Sequence, residues 1–501
     1  MQTNLHQNNL TENGAMSLST TGSKCLDFYF KTVRKITQDT SLNLLSDAWN
    51  EDPLSALKLV FHTRDCREGK GERQIFKWCC EWLAQNQKKH LIHNLKYIPQ
   101  FGRWEDLLWL LDSDNEVSNM VANMYSNQIK EDKYNMMLGK PVTLCAKWAP
   151  TEGKKHDKKL NAVVKICAAL KCSKQYYRKQ YISPLREYIN IVEKLMCSQK
   201  WSEINYSKVP SNAMNKLRKA FCKNDAQRFS KYQEKLKNKD SDVKINATTV
   251  QPHECIREYM RKIEQNQINQ SLGETNEMNI YDQILESQWD EITKRTQTLG
   301  TFKNSIVLSD VSGSMNGEPM EVSIALGILI SSLTEQSFKN KIITFETKPK
   351  LHNVTGDTLR EKVENVMKMD WGGDTNLEAV FDLILSNAKF HNLTEEQMPS
   401  RLYIISDMQF NSINNNDITN FELIKQKYNE SRYKMPQIVF WNVRGSTSDF
   451  TNKHTDADVA MISGFSPSVL KNVVSGDDFN PIGVLKNIIN DVRLNCITLA
   501  P

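Results

Sequence analysis

The chain has 501 residues, 39% of them hydrophobic and 25% charged, with 65 Lys and Arg against 59 Asp and Glu for a formal charge of +6. That balance excludes a disordered or collagen-like polymer, and the length accommodates two or more domains with a sizeable core. No apolar run reaches the length of a membrane span, and residues 1–23 lack the basic start and apolar stretch of a secretory signal, so an intracellular protein is expected, cytoplasmic with the nucleus open.

Residues 1–23 are rich in Asn, Gln, Thr and Ser, with too little apolar surface to offset the entropy of ordering, and they read as a disordered tail. From Cys25 to about Lys237 apolar residues recur at three- to four-residue steps: Leu42, Leu45 and Trp49, then Leu54, Leu57 and Phe61, then Ile75, Trp78, Cys79 and Trp82. This is the spacing of one helix face, and residues 104–111 repeat it in a shorter turn. Helix after helix with few strand signals predicts an all-helical, repeat-like module over 24–239, although no fixed sequence period is countable. Inside it, Arg64-Asp-Cys-Arg-Glu-Gly-Lys-Gly-Glu-Arg73 has the glycines of a phosphate loop without its spacing or its preceding strand. It reads as a turn between two helices, with Arg64, Arg67 and Arg73 either pairing with neighbouring acids or facing a polyanion.

Residues 240–299 turn polar, include a Gln/Asn-rich stretch at 264–270, and resume an amphipathic pattern at 280–292, as a helical connector does. Over 300–501 the character changes. Short apolar or β-branched runs at 305–308, 341–345, 401–406 and 437–443 alternate with helical stretches at 319–333, 376–388, 420–428, 466–474 and 481–491. Alternation of this kind predicts a doubly wound, mostly parallel sheet, so the fold class expected for the chain is α followed by α/β. The eleven cysteines are odd in number and form no CxxC pair. They read as reduced thiols, since Cys79-Cys80 with His90 and His93, the sharpest zinc alternative, matches no finger spacing.

The small net charge hides an asymmetry. Residues 147–239 hold 23 Lys and Arg against seven Asp and Glu, a net of +16, whereas 299–501 hold 19 against 24, a net of −5. An anionic partner for the helical half follows. The densest candidates for phosphate contacts are Lys154, Lys155, Lys158 and Lys159, and Arg178 with Lys179 lies in Tyr176-Tyr-Arg-Lys-Gln-Tyr181, where bases have aromatic rings to stack on. The plainer alternative for each is a solvated, Lys-rich helix face.

The sharpest chemical signal is Ser305-Ile-Val-Leu-Ser-Asp-Val-Ser-Gly-Ser-Met315, an apolar strand that ends in DxSxS. It gathers the Asp310 carboxylate and the Ser312 and Ser314 hydroxyls at a strand's carboxyl end, where open α/β sheets bind ligands. Gly372-Gly-Asp-Thr375 and Ile404-Ile-Ser-Asp407 add the Thr375 hydroxyl and the Asp407 carboxylate, with Asp374 an alternative to Thr375. A small hard cation, Mg²⁺ or Mn²⁺, takes such oxygen ligands, and this largely neutral set leaves it open to an acidic group of a partner.

Asp310, Ser312, Ser314, Thr375 and Asp407 resemble the metal-ion-dependent adhesion site of the von Willebrand factor A family, over nearly 200 residues. More narrowly, Asp310-Val-Ser-Gly-Ser-Met315, Trp371-Gly-Gly-Asp-Thr375, Ser406-Asp-Met-Gln-Phe410 and Ile438-Val-Phe-Trp-Asn442 look like an uncharacterised family in which a helical module precedes such a domain. Looser matches run through 61–73, 148–150, Tyr177-Arg178 and Val209-Pro-Ser211. The layout is similar to that of the Ro (TROVE) ribonucleoproteins and implies binding of structured or small non-coding RNA. The function expected is therefore a non-enzymatic RNA-binding protein with a cation site for an acidic partner group. A protein-assembly scaffold is the alternative, and a Mg²⁺-dependent phosphoryl-transfer enzyme the more distant one.

Overall fold

A computed structural model describes residues 8–271, 281–300, 302, 304–335, 338–345, 348–369, 375–411, 420–446, 449–474 and 479–501. At its start lies a hairpin. Strand β1 (Asn8–Leu10) pairs antiparallel with β2 (Met16–Leu18), and Leu18 exchanges backbone hydrogen bonds of 2.8 and 2.9 Å with Phe450. Ala15 and Leu18 are buried in the same cluster as Phe410, Phe440 and Phe450. The disorder expected over 1–23 therefore does not hold for residues 8–23. Their own composition is polar, but two buried apolar side chains and a borrowed backbone partner 432 residues away order them.

The helical half begins at Lys24–Lys31, where the Ser23 side chain accepts from Leu26 N, and continues through Gln38–Glu51 and Pro53–Arg64. Asp52 ends one helix and caps the next, accepting from Leu54 N and Ser55 N ahead of a proline in the first turn. In Arg73–Asn86 the predicted stripe faces inward, with Ile75 and Cys79 buried and Trp78 and Trp82 packed partly against them. All eleven cysteines are free, and burial pushes the Cys79 thiol up to about 12. Among the described residues no helix is long and apolar enough to cross a membrane.

Arg64 to Arg73 is a structural turn. Lys70 is buried, donates to Tyr29 O and to Thr32 O at 3.0 Å, and stands over the Tyr29 ring. Arg64 Nε and Arg73 Nε both reach Asp106, at 2.7 and 2.8 Å. Of the two roles open to these arginines, local pairing describes Arg64 and Arg73, while Arg67 stays exposed.

The C-terminal half is a six-stranded sheet in the order β5-β4-β3-β6-β7-β8. Its strands are β3 (Ser305–Ser309), β4 (Lys341–Thr344), β5 (Leu351–Asn353), β6 (Arg401–Ser406), β7 (Gln437–Asn442) and β8 (Val459–Ser463). All neighbours are parallel except β4 and β5. Alternate residues serve two cores. Ile306, Leu308, Leu402, Ile404 and Phe440 face the helix Leu377–Phe390, whereas Val307, Tyr403, Ile405, Val439 and Trp441 join a cluster that also holds Leu26, Phe28, Leu57 and Phe61 of the helical half.

That shared cluster also takes Ile256, Tyr259, Trp289 and Ile292 from the helices Pro252–Ser271 and Gln283–Gln297. The apolar core thus stops neither at residue 239 nor at residue 299, and the stretch expected as a connector is part of it. Polar contacts cross the same junction: Arg34 and Arg257 both reach Glu318, at 2.5 and 2.8 Å, and Arg257 also reaches Glu321. His253, Arg257 and Arg34 hold the Glu318 carboxyl well below the usual range.

Candidate metal centre and basic groove

At the carboxyl end of β3 the chain turns sharply, and Asp310 N donates to Ile405 O of the neighbouring strand at 3.0 Å. The Asp310 carboxylate is fully buried, accepting from Ser312 N at 2.9 Å and from Ser406 Oγ at 2.6 Å. Ser312 Oγ and Ser314 Oγ lie 3.2 Å apart, the second inside the short turn Gly313–Met315. Directly after β6, the equally buried Asp407 is hydrogen-bonded by the Ser314 side chain and by Gln409 N. Thr375 precedes the helix Leu377–Phe390; its hydroxyl is 2.9 Å from Gln409 O and 2.8 Å from Asn411 Oδ1. Asp310, Ser312, Ser314 and Asp407 are therefore one hydrogen-bonded group, with Thr375 against the loop that follows Asp407. The alternative ligand, Asp374, lies outside the described residues.

Two carboxylates buried side by side are costly to keep charged without a compensating cation. Burial, and next the Asp407 charge, push Asp310 up to about 6; burial also raises Asp407. Arg444, just after β7, brings one positive charge: its Nη1 donates to Ser314 O and lies 3.5 Å from Asp407 Oδ2. Among the described residues no group of three or more His, Cys, Asp or Glu side chains is placed to hold a metal, so an ion here depends on the hydroxyls as well as the two carboxylates. That all-oxygen donor set fits a hard divalent cation.

Two neighbours of this centre escape sequence reasoning. Arg444 is a lone arginine in a loop with no motif of its own. The hairpin turn of residues 11–15 meets the centre from the far end of the chain: Asn13 Nδ2 donates to Thr375 Oγ1 at 3.1 Å and to Gln409 O at 2.8 Å. The long-range pairing of β2 with Phe450, and the bonds of Thr11 and Glu12 to Phe410 and Gln409, place it there.

The basic candidates divide. Lys154, Lys155, Lys158, Lys159, Arg178 and Lys179 are all exposed, but Tyr177 beside them is 2% exposed and donates to Pro150 O at 2.9 Å, so it is a core side chain and no stacking platform. The basic residues that do converge line a groove of about 940 Å³. Arg67, Arg103, Lys147, Arg186, Lys194 and Lys216 border it, with Glu193 as its one acid. Half-buried Trp148 lies in its wall, with the Arg103 guanidinium 5.0 Å and the Lys147 ammonium 5.6 Å from the ring centre. Arg186 is fixed by Ala146 O and Ala149 O, at 2.9 and 2.8 Å. An adjoining hollow of about 250 Å³ shares Ser183 and Arg186 and is lined by Pro150, Tyr177 and Arg178. The short stretches around Trp148, Arg178 and Pro210 thus come together here; Lys154, Lys155, Lys158, Lys159 and Lys179 line neither space.

Residues 11–119 and 112–302 match a family model described as a domain of unknown function (DUF2828). The chain belongs to the DUF2828 family. Residues 304–485 match a second model, again a domain of unknown function (DUF7788), and neither description is that of a von Willebrand factor A or Ro-type domain. The chain is 32% identical over 521 residues to an uncharacterized protein of Acanthamoeba polyphaga mimivirus, spanning 97% of this chain and 88% of that protein. The DUF2828 match begins at residue 11, so it takes in the turn that touches Thr375.

Proposed function

We propose that this DUF2828 protein is a non-enzymatic RNA-binding protein whose groove around Trp148 holds structured or small non-coding RNA. Its α/β domain, von Willebrand factor A-like in this reading, uses Asp310, Ser312, Ser314, Thr375 and Asp407 to hold Mg²⁺ or Mn²⁺ and engage a carboxylate. The observation that carries the RNA reading is six cationic side chains and an accessible indole on one groove, against one acid. Cations there neutralise phosphates, and the indole offers a face on which an unpaired base stacks. The five candidate metal ligands include two carboxylates, three hydroxyls and no His, a set suited to holding an ion and an anion rather than to general-base hydrolysis.

The test is made in the intact chain, because its core runs through both halves. Changing Lys147, Lys194 and Lys216 together to Gln is expected to weaken RNA binding and to flatten the slope of log affinity against log salt by roughly 2 to 3, about 0.7 to 0.9 per lost phosphate contact. Affinity falls about equally for unrelated RNA sequences, because phosphate contacts position rather than specify. The quadruple change of Lys154, Lys155, Lys158 and Lys159 to Gln, outside the groove, flattens the slope less. An unchanged slope in the triple variant, or an equal effect of both variants, removes the groove from the account.

A further inference from the structure

The turn of the N-terminal hairpin is fastened to the candidate metal centre on both sides of one acidic residue. Thr11 Oγ1 donates to Phe410 O at 2.7 Å, and Asn13 Nδ2 donates to Gln409 O and to Thr375 Oγ1. Between them, Glu12 N donates to Gln409 Oε1 at 2.6 Å. The turn is closed by Gly14 N to Thr11 O and Thr11 N to Ala15 O, at 2.9 and 2.8 Å, with Gly14 at φ +83, where a side chain would be strained. Buried Ala15 and Leu18 hold the hairpin behind it. Glu12 is thus held by its backbone to Gln409, which in turn bonds both Asp407 and Thr375, while its side chain is exposed.

We propose that Glu12 is the chain's own carboxylate ligand for the cation held by Asp310, Ser312, Ser314, Thr375 and Asp407, so that the free protein closes its metal site from within. This rests on the cation-site reading above. The protein's five ligands leave one position open on an ion that prefers six oxygens, and a carboxylate oxygen completes the set. The neighbours of Glu12, Thr11 and Asn13, bond to Phe410 O, Gln409 O and Thr375 Oγ1, so the turn sets Glu12 beside the loop that follows Asp407. Among the described residues no basic side chain is paired with Glu12. An acidic group of a partner then binds only by displacing Glu12, which makes the hairpin a competitor for that partner.

The probe is Mn²⁺, titrated into the intact wild-type chain and into Asp310→Ala and Glu12→Gln, reading both affinity and water-proton relaxation. Wild type is expected to bind one ion and Asp310→Ala none. Glu12→Gln, which keeps the backbone contact to Gln409, is expected to bind about tenfold more weakly, the loss of one ligand charge. Its bound ion also relaxes water protons more strongly, because water takes the vacated position. Both changes are required. Asp310-dependent binding with Glu12→Gln unaltered in either readout overturns the internal ligand and leaves the cation site standing. No binding by the wild type overturns both.

Discussion

Replacing Asp106 by Ala is expected to lower unfolding stability by about 3–5 kcal/mol, the range for leaving one partner of a buried ion pair uncompensated. The Asp106 side chain is fully buried, and the Arg64 side chain that faces it is 4% exposed. Asp106 also accepts from Arg73 Nε and, at 2.9 Å, from Arg103 N, so one carboxylate satisfies three donors from two segments. Gly102 leaves room for them: a Cβ there would stand 2.3 Å from Asp106 Oδ2 and 2.8 Å from Arg64 Nε. Alanine strands the Arg64 charge in the core, whereas Asn keeps an acceptor for one donor and loses less. Urea unfolding of the two variants measures this, and a loss below about 1 kcal/mol for Asp106→Ala contradicts the pairing. Because Arg103 also lines the groove, the same variant disturbs the wall beside Trp148.

Saturating Mg²⁺ or Mn²⁺ is expected to stabilise the folded chain, by about 2.7 kcal/mol at a hundredfold excess over Kd, because an ion that binds only the folded state shifts the equilibrium by mass action. Asp310→Ala abolishes the effect entirely. The buried pair of Asp310 and Asp407 is the cause: each is disfavoured as an anion by burial, and Asp310 further by its partner, so a divalent ion relieves both. The melting temperature with and without metal measures it. An equal shift in wild type and Asp310→Ala places the ion elsewhere.

Parts of this molecule are legible in one dimension and parts are not. The strands at 305–309, 401–406 and 437–442 are short, apolar and rich in β-branched residues, buried on both faces as a parallel sheet requires, and they stand out as continuous apolar runs. β5 is three residues at an edge, and β8, Val-Ala-Met-Ile-Ser, mixes helix-favouring Ala and Met into its run, so neither stands out before pairing is known. The DxSxS turn groups Asp310, Ser312 and Ser314 within five residues, so that cluster is legible locally. Arg444 and Asn13 reach the same centre only through tertiary contacts.

The same division holds in the helical half. Lys154 to Lys159 attract notice because they are adjacent in sequence, yet the groove draws on residues from Arg67 to Thr249, a convergence that no local count reveals. Tyr177 sits in a basic, aromatic run that suggests stacking, but helical phase turns it inward.

The most direct test of the central claim is the nucleic acid that accompanies the intact chain through purification at low salt, measured by absorbance and sequenced after extraction. The account predicts RNA with the wild type, released by added salt, and far less RNA with Lys147, Lys194 and Lys216 changed to Gln. No RNA with the wild type, or the same amount with the triple variant, would contradict it.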